Sequence, residues 1–305
     1  MQERTLGYQD KKELAAVGKA LSSEVRLDML RLLQKDSLNV NELAQKLSIP
    51  SSSAAMHVKA LEEAGLIVTE LKPGVRGSMK VCTRQLDALS IRLLEDEAQD
   101  VEAETICMPV GNFVDYDVHP TCGIVSDREF IDEEDEPRCF YNPNRIYAQL
   151  IWFGSGYVEY RFPNTGLKNR ELKSAEFSAE LCSETQFYNM DCPSDITLWV
   201  NGKEAGTWRC PSDFGGRRGK LNPDWWPDRN TQYGKLKTWR FTPKGTYING
   251  RKVAQTTLKE YEWEANPYIS IRIGIRKDAQ KVGGINIFGE SFGDYPQNLV
   301  LKLFF

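Results

Sequence analysis

The chain has 305 residues, with 39 Lys and Arg against 43 Asp and Glu and a formal net charge of −4. That length suits two domains or one large sheet protein, and two are expected. No run of about eighteen apolar residues occurs, and the opening "MQERTLGYQDKKELAAVG" lacks the apolar centre of a signal peptide, so a cytoplasmic protein without a membrane partner is expected. Seven cysteines at 82, 107, 122, 139, 182, 192 and 210 are odd in number, scattered and without C-x-x-C spacing. This argues against a disulfide framework or a structural zinc site, and free, mostly buried thiols are expected.

The charge is uneven. Residues 1–84 carry a net +3, residues 85–136 a net −14 and residues 137–305 a net +7. The acidic run "DREFIDEEDEP" at 127–137 reads as a solvated loop, because a block of like charge repels itself and resists burial.

Up to about residue 67 the apolar spacing is helical. Leu14, Val17 and Leu21 form one stripe, and Val25, Met29, Leu32 and Leu33 the next, with Ser22 or Ser23 available as a cap between them. "VNELAQKL" predicts a third helix. "SSSAAMHVKALEEAG" predicts a fourth, closed by Gly65 in a left-handed conformation. "LIVTELKPGVRGSMKVCTR" then reads as two strands around a Pro-Gly turn. Helices followed by a short basic hairpin point to a winged helix-turn-helix over residues 1–84. Residues 85–104 are a linker or dimerisation segment in which "LDALSIRLL" either extends the wing or forms a helix.

From residue 105 the period changes to two. "KSAEFSAELC" sets Ala175, Phe177, Ala179 and Leu181 opposite Ser174, Glu176, Ser178 and Glu180, and "YISIRIGIR" alternates in the same way. Asn201-Gly202 predicts a two-residue hairpin inside "DITLWVNGKEAGTWRC". The expected fold class is α+β multidomain: an N-terminal winged helix-turn-helix and, over 105–305, an antiparallel β-sandwich or jelly roll. Pattern and composition give that second region a loose resemblance to galactose-binding-like carbohydrate modules.

"GKALSSEVRLDMLRLL" at 18–33 followed by "VNELAQKLSIPSSSAAMHVKALEEAGLI" at 40–67 resembles the ArsR/SmtB family of winged-helix repressors. The resemblance covers about the first 84 residues. It implies a homodimer that places two recognition helices in successive major grooves of an operator in double-stranded DNA. Val58, Leu61 and Leu66 are then the scaffold side of that helix. Ser51, Ser52, Ser53, Met56 and Lys59 are the groove side, and Lys72, Arg76 and Lys80 of the wing reach the backbone or the minor groove. His57, beside the apolar stripe, reads as a packing or orienting residue. The family's metal sensors carry a C-V-C pair ahead of the turn. The matching positions here are Asn39 and Asn41, which cannot replace thiolates, so neither metal sensing at this position nor any cofactor is expected.

The second half needs a task of its own. The stretch "PSDFGGRRGKLNPDWWPDRNTQYG" at 211–234 offers flat rings in Trp225, Trp226 and Tyr233, and charged groups in Asp213, Arg217 and Arg218. Flat aromatics with planar charged groups suit a small carbohydrate-like effector, a sugar or sugar acid. A repressor under such an effector is the leading expectation, with no enzyme activity. The alternatives are a glycoside hydrolase using two of Asp213, Asp224 and Glu290, and a regulator whose sandwich is a protein-interaction module. A second Gly-rich aromatic turn, "GESFGDYPQN" at 289–298, is a candidate neighbour of the first.

Overall fold

The computed structural model describes residues 3–74, 77–91 and 102–305. The chain divides into two compact units, Met1–Gln99 and Asp100–Phe305.

The first unit begins with strand β1 (Glu3–Leu6) and helices α1 (Lys11–Leu21) and α2 (Glu24–Leu32). Ser23 is the N-cap residue of α2, but its hydroxyl makes no capping bond, and Ser22 Oγ donates back to the Lys19 carbonyl instead. Closure of α1 falls to Arg26, whose guanidinium donates to the carbonyls of Ala20 and Lys19 at 2.7 and 2.6 Å. A cation on the last carbonyls of a helix satisfies orphan acceptors and complements the dipole.

Strand β2 (Leu38–Asn39) leads into α3 (Val40–Lys46), where Asn39 and Glu42 form a reciprocal capping box. Helix α4 (Ser51–Glu63) follows Pro50 and ends at Gly65, whose φ of +66° is the expected left-handed turn. Strands β3 (Ile67–Gly74) and β4 (Gly77–Arg84) pair antiparallel, with β2 on the outer edge of β4. The core gathers Val17, Ala20, Met29, Leu43, Ala54, Val58 and Leu61 between the helices.

Strand β5 (Ala88–Ile91) pairs in parallel with β1, so the segment read as wing extension or dimerisation helix instead contributes a strand beside the N-terminus. The remainder of that segment up to residue 101 lies outside the described residues, and Ala103 already belongs to the next strand.

The second unit is antiparallel throughout. Its strands are β6 (Ala103–Met108), β7 (Asp115–Val125), β8 (Leu150–Pro163), β9 (Ser174–Cys182), β10 (Ser194–Val200), β11 (Lys203–Cys210), β12 (Lys235–Thr242), β13 (Gly245–Ile248), β14 (Arg251–Ala254), β15 (Tyr268–Ile275), β16 (Ile285–Phe288) and β17 (Leu299–Phe304). One half of the sheet runs β11-β10-β15-β8-β7 and the other β14-β13-β12-β9-β17-β6. They are joined by β16, which pairs with Leu150–Phe153 of β8 on one side and Glu180–Cys182 of β9 on the other. The far ends of the path, β11 and the β13–β14 hairpin, lie against each other, so the sheet is nearly barrel-like.

Period-two patterning builds this fold as expected. Ile269, Ile271 and Ile273 of β15 and Ala175, Phe177, Ala179 and Leu181 of β9 point into one core. Asn201 and Gly202 carry φ of 48° and 78°, the mirror-image turn that a tight hairpin requires. One residue departs from the alternation. Glu180 is fully buried on the face expected to be polar and solvated, because two loops fold over it and its carboxylate accepts the backbone N–H groups of Gly234, Asp294 and Tyr295. All seven cysteines are free, and five of them are buried. Among the described residues no helix is long and apolar enough to cross a membrane.

Candidate nucleic-acid interface and effector cavity

Helix α4 has two faces. Ala54, Val58 and Leu61 are buried against the bundle, with Leu66 just beyond the helix. Ser51, Ser52, Met56 and Lys59 are exposed, Met56 by 69%, and Ser53 is half-buried at the margin. The exposed residues lie along the first three turns, which is the part of a recognition helix that meets base edges and phosphates. His57 is half-buried, with Nδ1 3.4 Å from the Arg26 guanidinium, so the side chain that closes α1 also reaches α4.

The wing is tied to the same helix. Glu62 accepts a bond from Lys80 Nζ at 2.7 Å and a second from the Thr69 hydroxyl, and these bonds hold its carboxyl below the usual carboxylate range. Lys80, expected to reach the DNA backbone or the minor groove, is bonded to Glu62 and ties the hairpin to α4. Lys72 is exposed, 3.7 Å from Glu70 and on the outer part of β3. Arg76 lies outside the described residues. Asn39, at the position where metal sensors carry a thiolate, has its side chain engaged in the α3 capping box.

In the second unit, stretch 211–234 is a closed, hydrogen-bonded loop, and most of the residues expected to face an effector hold the loop itself. Arg217 pairs through both terminal nitrogens with Asp294 and lies 3.6 Å over the Tyr233 ring, which stacks on Phe214. Arg218 donates to Asp228 at 2.7 Å and to the carbonyls of Trp226 and Pro223, stapling the turn that carries the two tryptophans. Trp225 is half-buried and donates from Nε1 to the Asp127 carbonyl at 2.8 Å. Asp213 is fully buried, accepting from Thr185 N at 3.1 Å and Thr231 Oγ1 at 3.0 Å, and burial raises its pKa to about 6. The 289–298 turn does sit beside this loop: Leu221 N donates to Gly293 O, and Phe292 packs edge-on against Trp226.

Of the six, Trp226 is the one that lines the cavity beside this loop. About 400 Å³ in volume, it opens beside the 211–234 loop and is walled by Phe130, Trp152, Phe187 and Trp226. Trp226 is only 3% exposed and donates from Nε1 to the Thr231 carbonyl, so its ring is fixed. The polar lining includes Thr121, Glu134, Asp135, Glu184, Asn230 and Asn286, with Arg229 at the rim, 5.0 Å over the Phe187 ring. Asp213 stands behind this wall and holds two of its members, Thr185 and Thr231. Glu184 is the notable group. Burial, and then the charge of Asp213, push its carboxyl well above the usual range, while Asn286 and Thr121 donate to it. A protonated carboxyl in such a site donates a hydrogen bond rather than presenting a charge.

The acidic run is not simply solvated. Phe130 within it lines the cavity and packs against both tryptophans of the 211–234 loop, Ile131 is buried, and Asp135 accepts the Cys122 N–H at 3.0 Å. Sequence reasoning missed Phe130, Trp152, Glu184 and Asn286, which come from four separate segments. Arg229 was legible as a further cation of the 211–234 stretch. The carboxylates considered for hydrolysis are not gathered there: Asp224 and Glu290 are exposed, and none of Asp213, Asp224 and Glu290 lines the cavity.

The helices and hairpin of the first unit define a winged helix-turn-helix module. Residues 21–70 match the helix-turn-helix domain family. Over 59 residues the chain is 32% identical to an uncharacterized HTH-type transcriptional regulator of Methanocaldococcus jannaschii, spanning 19% of this chain and 62% of that protein. The match thus covers less than two thirds of the relative's length. Among solved structures, HlyU from Vibrio cholerae is 24% identical with a TM-score of 0.23, over 26% of this chain and 83% of that one. A homodimeric winged helix-turn-helix DNA-binding domain from Mycobacterium bovis is 26% identical with a TM-score of 0.22, over 24% and 65%. The Agl-KA catalytic domain is 10% identical with a TM-score of 0.25, over 51% of this chain and 21% of that one, a level that says nothing of shared chemistry.

Proposed function

We propose that this chain is a DNA-binding transcriptional regulator, a cytoplasmic repressor acting as a homodimer, whose β domain binds a small carbohydrate-like effector. The observation that supports DNA binding is the two-faced helix α4: buried Ala54, Val58 and Leu61 behind, exposed Ser51, Ser52, Met56 and Lys59 in front, with a hairpin wing anchored to it through Glu62. A dimer sets two such helices about 34 Å apart, one turn of the duplex, and the operator is then a near-palindrome.

The effector reading rests on the Glu184 cavity. Its volume falls within the range of about 300–1,000 Å³ for small-molecule sites, and it joins fixed aromatic rings to a few polar groups. The rings fit the C–H faces of a sugar, while Asn286, Asn230 and Glu184 fit its hydroxyl edges. The site moves from the middle of the 211–234 loop to that loop's inner wall, and Trp226 remains a member.

Selection of genomic duplex fragments by the full chain, followed by fluorescence anisotropy on the enriched sequence, tests the first part. Enrichment of a near-palindromic site is expected, and affinity that does not discriminate it from random duplex rejects the reading. A thermal-shift panel of neutral sugars and sugar acids tests the second. A ligand at 100 times its Kd stabilises the folded state by about 2.7 kcal/mol, and its binding should alter operator affinity by about 5 to 150-fold. A panel without a shift removes the effector assignment and leaves the DNA-binding assignment standing.

A further inference from the structure

Where β11 meets the β13–β14 hairpin, a second depression of about 1020 Å³ runs between the two ends of the sheet. It shares no lining residue with the Glu184 cavity. Gly206 forms part of its floor at φ +102°, and a Cβ there would sit 2.5 Å from Val253 Cγ2, so only glycine allows the sheet ends this close. Trp208 is half-buried in the groove and is its only aromatic among the described residues.

Five cationic side chains line the groove, against three carboxylates. The carboxylates are already committed. Asp195 holds Arg209 through two bonds of 2.7 and 2.9 Å, while Arg276 donates to Glu204 at 2.8 Å and to Asp278 through two bonds of 2.8 and 2.6 Å. Each of those guanidinium groups has five N–H donors, of which these bonds and the one from Arg209 to Gln280 use three. Lys237, Arg251 and Lys252 have no carboxylate within salt-bridge distance among the described residues. Lys237 is half-buried with its ammonium 4.3 Å over the Trp208 ring, and burial lowers its pKa. An ammonium partly removed from water without a counter-ion is unfavourable, and an anion placed beside it relieves that cost.

We propose that this groove binds an acidic oligosaccharide. The carboxylates or sulfates of the sugar meet Lys237, Arg251 and Lys252, its C–H face packs on the part of the Trp208 ring that the Lys237 ammonium leaves open, and the unused donors of Arg209 and Arg276 take its hydroxyls. The volume exceeds what one ring fills, and the cations are spread along the groove, which favours an oligomer over a monosaccharide. A groove for single-stranded nucleic acid stacks successive bases on several aromatic rings, and this one offers a single ring. The proposal stands apart from the effector reading of the other cavity.

The test is calorimetric titration of the full chain with short oligogalacturonates, their neutral methyl esters and oligothymidylate. Saturable binding of the uronates is expected, weakened about tenfold or more by esterification and by raising salt from about 0.01 to 0.15 M. Trp208→Ala and the double variant Arg251→Gln with Lys252→Gln should each weaken it by about tenfold. Both positions of the double variant are exposed, so it carries the test if Trp208→Ala melts early. Equal binding of acid and ester, no saturable binding of any uronate, an unaffected double variant, or oligothymidylate binding more tightly at the same residues would each overturn the proposal.

Discussion

Asn286 Nδ2 lies 2.6 Å from Glu184 Oε2 in the lining of the β-domain cavity, a donor from β16 meeting a carboxyl just past the end of β9. The same amide donates to the Ser183 carbonyl at 2.7 Å, so the side chain that orients Glu184 is itself fixed by the chain beside it. Glu184 and Asp213 are two buried acids, both raised by burial and Glu184 further by the charge of Asp213, and this has a pH signature.

For Asp213 the folded pKa, about 6, exceeds the ordinary 3.8. The folded state therefore binds more protons than the unfolded chain between these values. The stability contributed by the protonated group is fully present below 3.8 and is lost as pH rises to about 6. At 1.36 kcal/mol per pH unit the loss is about 3 kcal/mol, and Glu184 extends it in the same direction. Denaturant melts of the full chain at intervals across this window should show the β-domain transition weakening as pH rises. Asp213→Asn and Glu184→Gln should each flatten the slope, and a wild-type transition that is flat through this window would contradict the reading.

Trp226→Ala removes a ring that is 3% exposed and touches Phe130, Trp152, Trp225 and Phe292. A loss of about 3–5 kcal/mol is expected for the β domain, read from its melt. Trp225→Ala, at a half-buried position, should cost clearly less. Comparable losses for the two variants would mean that the ring contacts around Trp226 are not what fixes the loop.

At the nucleic-acid face, Lys59 and Lys80 should behave differently. Lys59 is exposed and its pairing with Glu63 is long, 3.8 Å, so Lys59→Gln should weaken duplex binding uniformly across sequences and reduce the salt slope by about one. Lys80 is held by Glu62, and Glu62→Gln is expected to lower affinity by freeing the wing although it removes a negative charge. A simple electrostatic account gives the opposite sign for Glu62→Gln, so anisotropy at two salt concentrations separates the two.

Arg26→Gln tests the joint between α1 and α4. Its guanidinium supplies the closing bonds of α1 and approaches His57, and losing charged donors to two carbonyls should cost about 1–3 kcal/mol in the first unit. His57→Gln should cost less, since Arg26 keeps its carbonyl partners. If His57→Gln is the more damaging, the histidine orients the helix by some contact other than this one.

Much of this architecture is written in short-range signals. Helices α1 to α4 follow from apolar spacing, the stop at Gly65 from glycine's tolerance of the left-handed conformation, the Asn201-Gly202 turn from its dipeptide chemistry, and the inner faces of β9 and β15 from strict alternation. Asn39 was readable too, as the cap of an N-x-x-E box, although its position also matches a thiolate of the metal sensors. The cavity was not readable, because Phe130, Trp152, Glu184 and Asn286 share no local pattern and meet only through sheet pairing. Glu180 fails the alternation for the same reason: the loops covering it lie more than fifty residues away in the chain. The 211–234 stretch drew attention by composition, and composition does not distinguish a ring that faces a ligand from a guanidinium that fastens a loop.

Strand β16 has a further consequence, in the order in which the β domain is assembled. Residues 285–288 complete pairings with residues 150–153 and 180–182, and β17 closes against strands β6 and β9, made far earlier. During synthesis the two halves of the sheet therefore wait with open edges until this late segment has been made, whereas the helical unit has its last described strand, β5, by residue 91. The helical unit is thus made in full before the β domain receives the strand that joins its two halves.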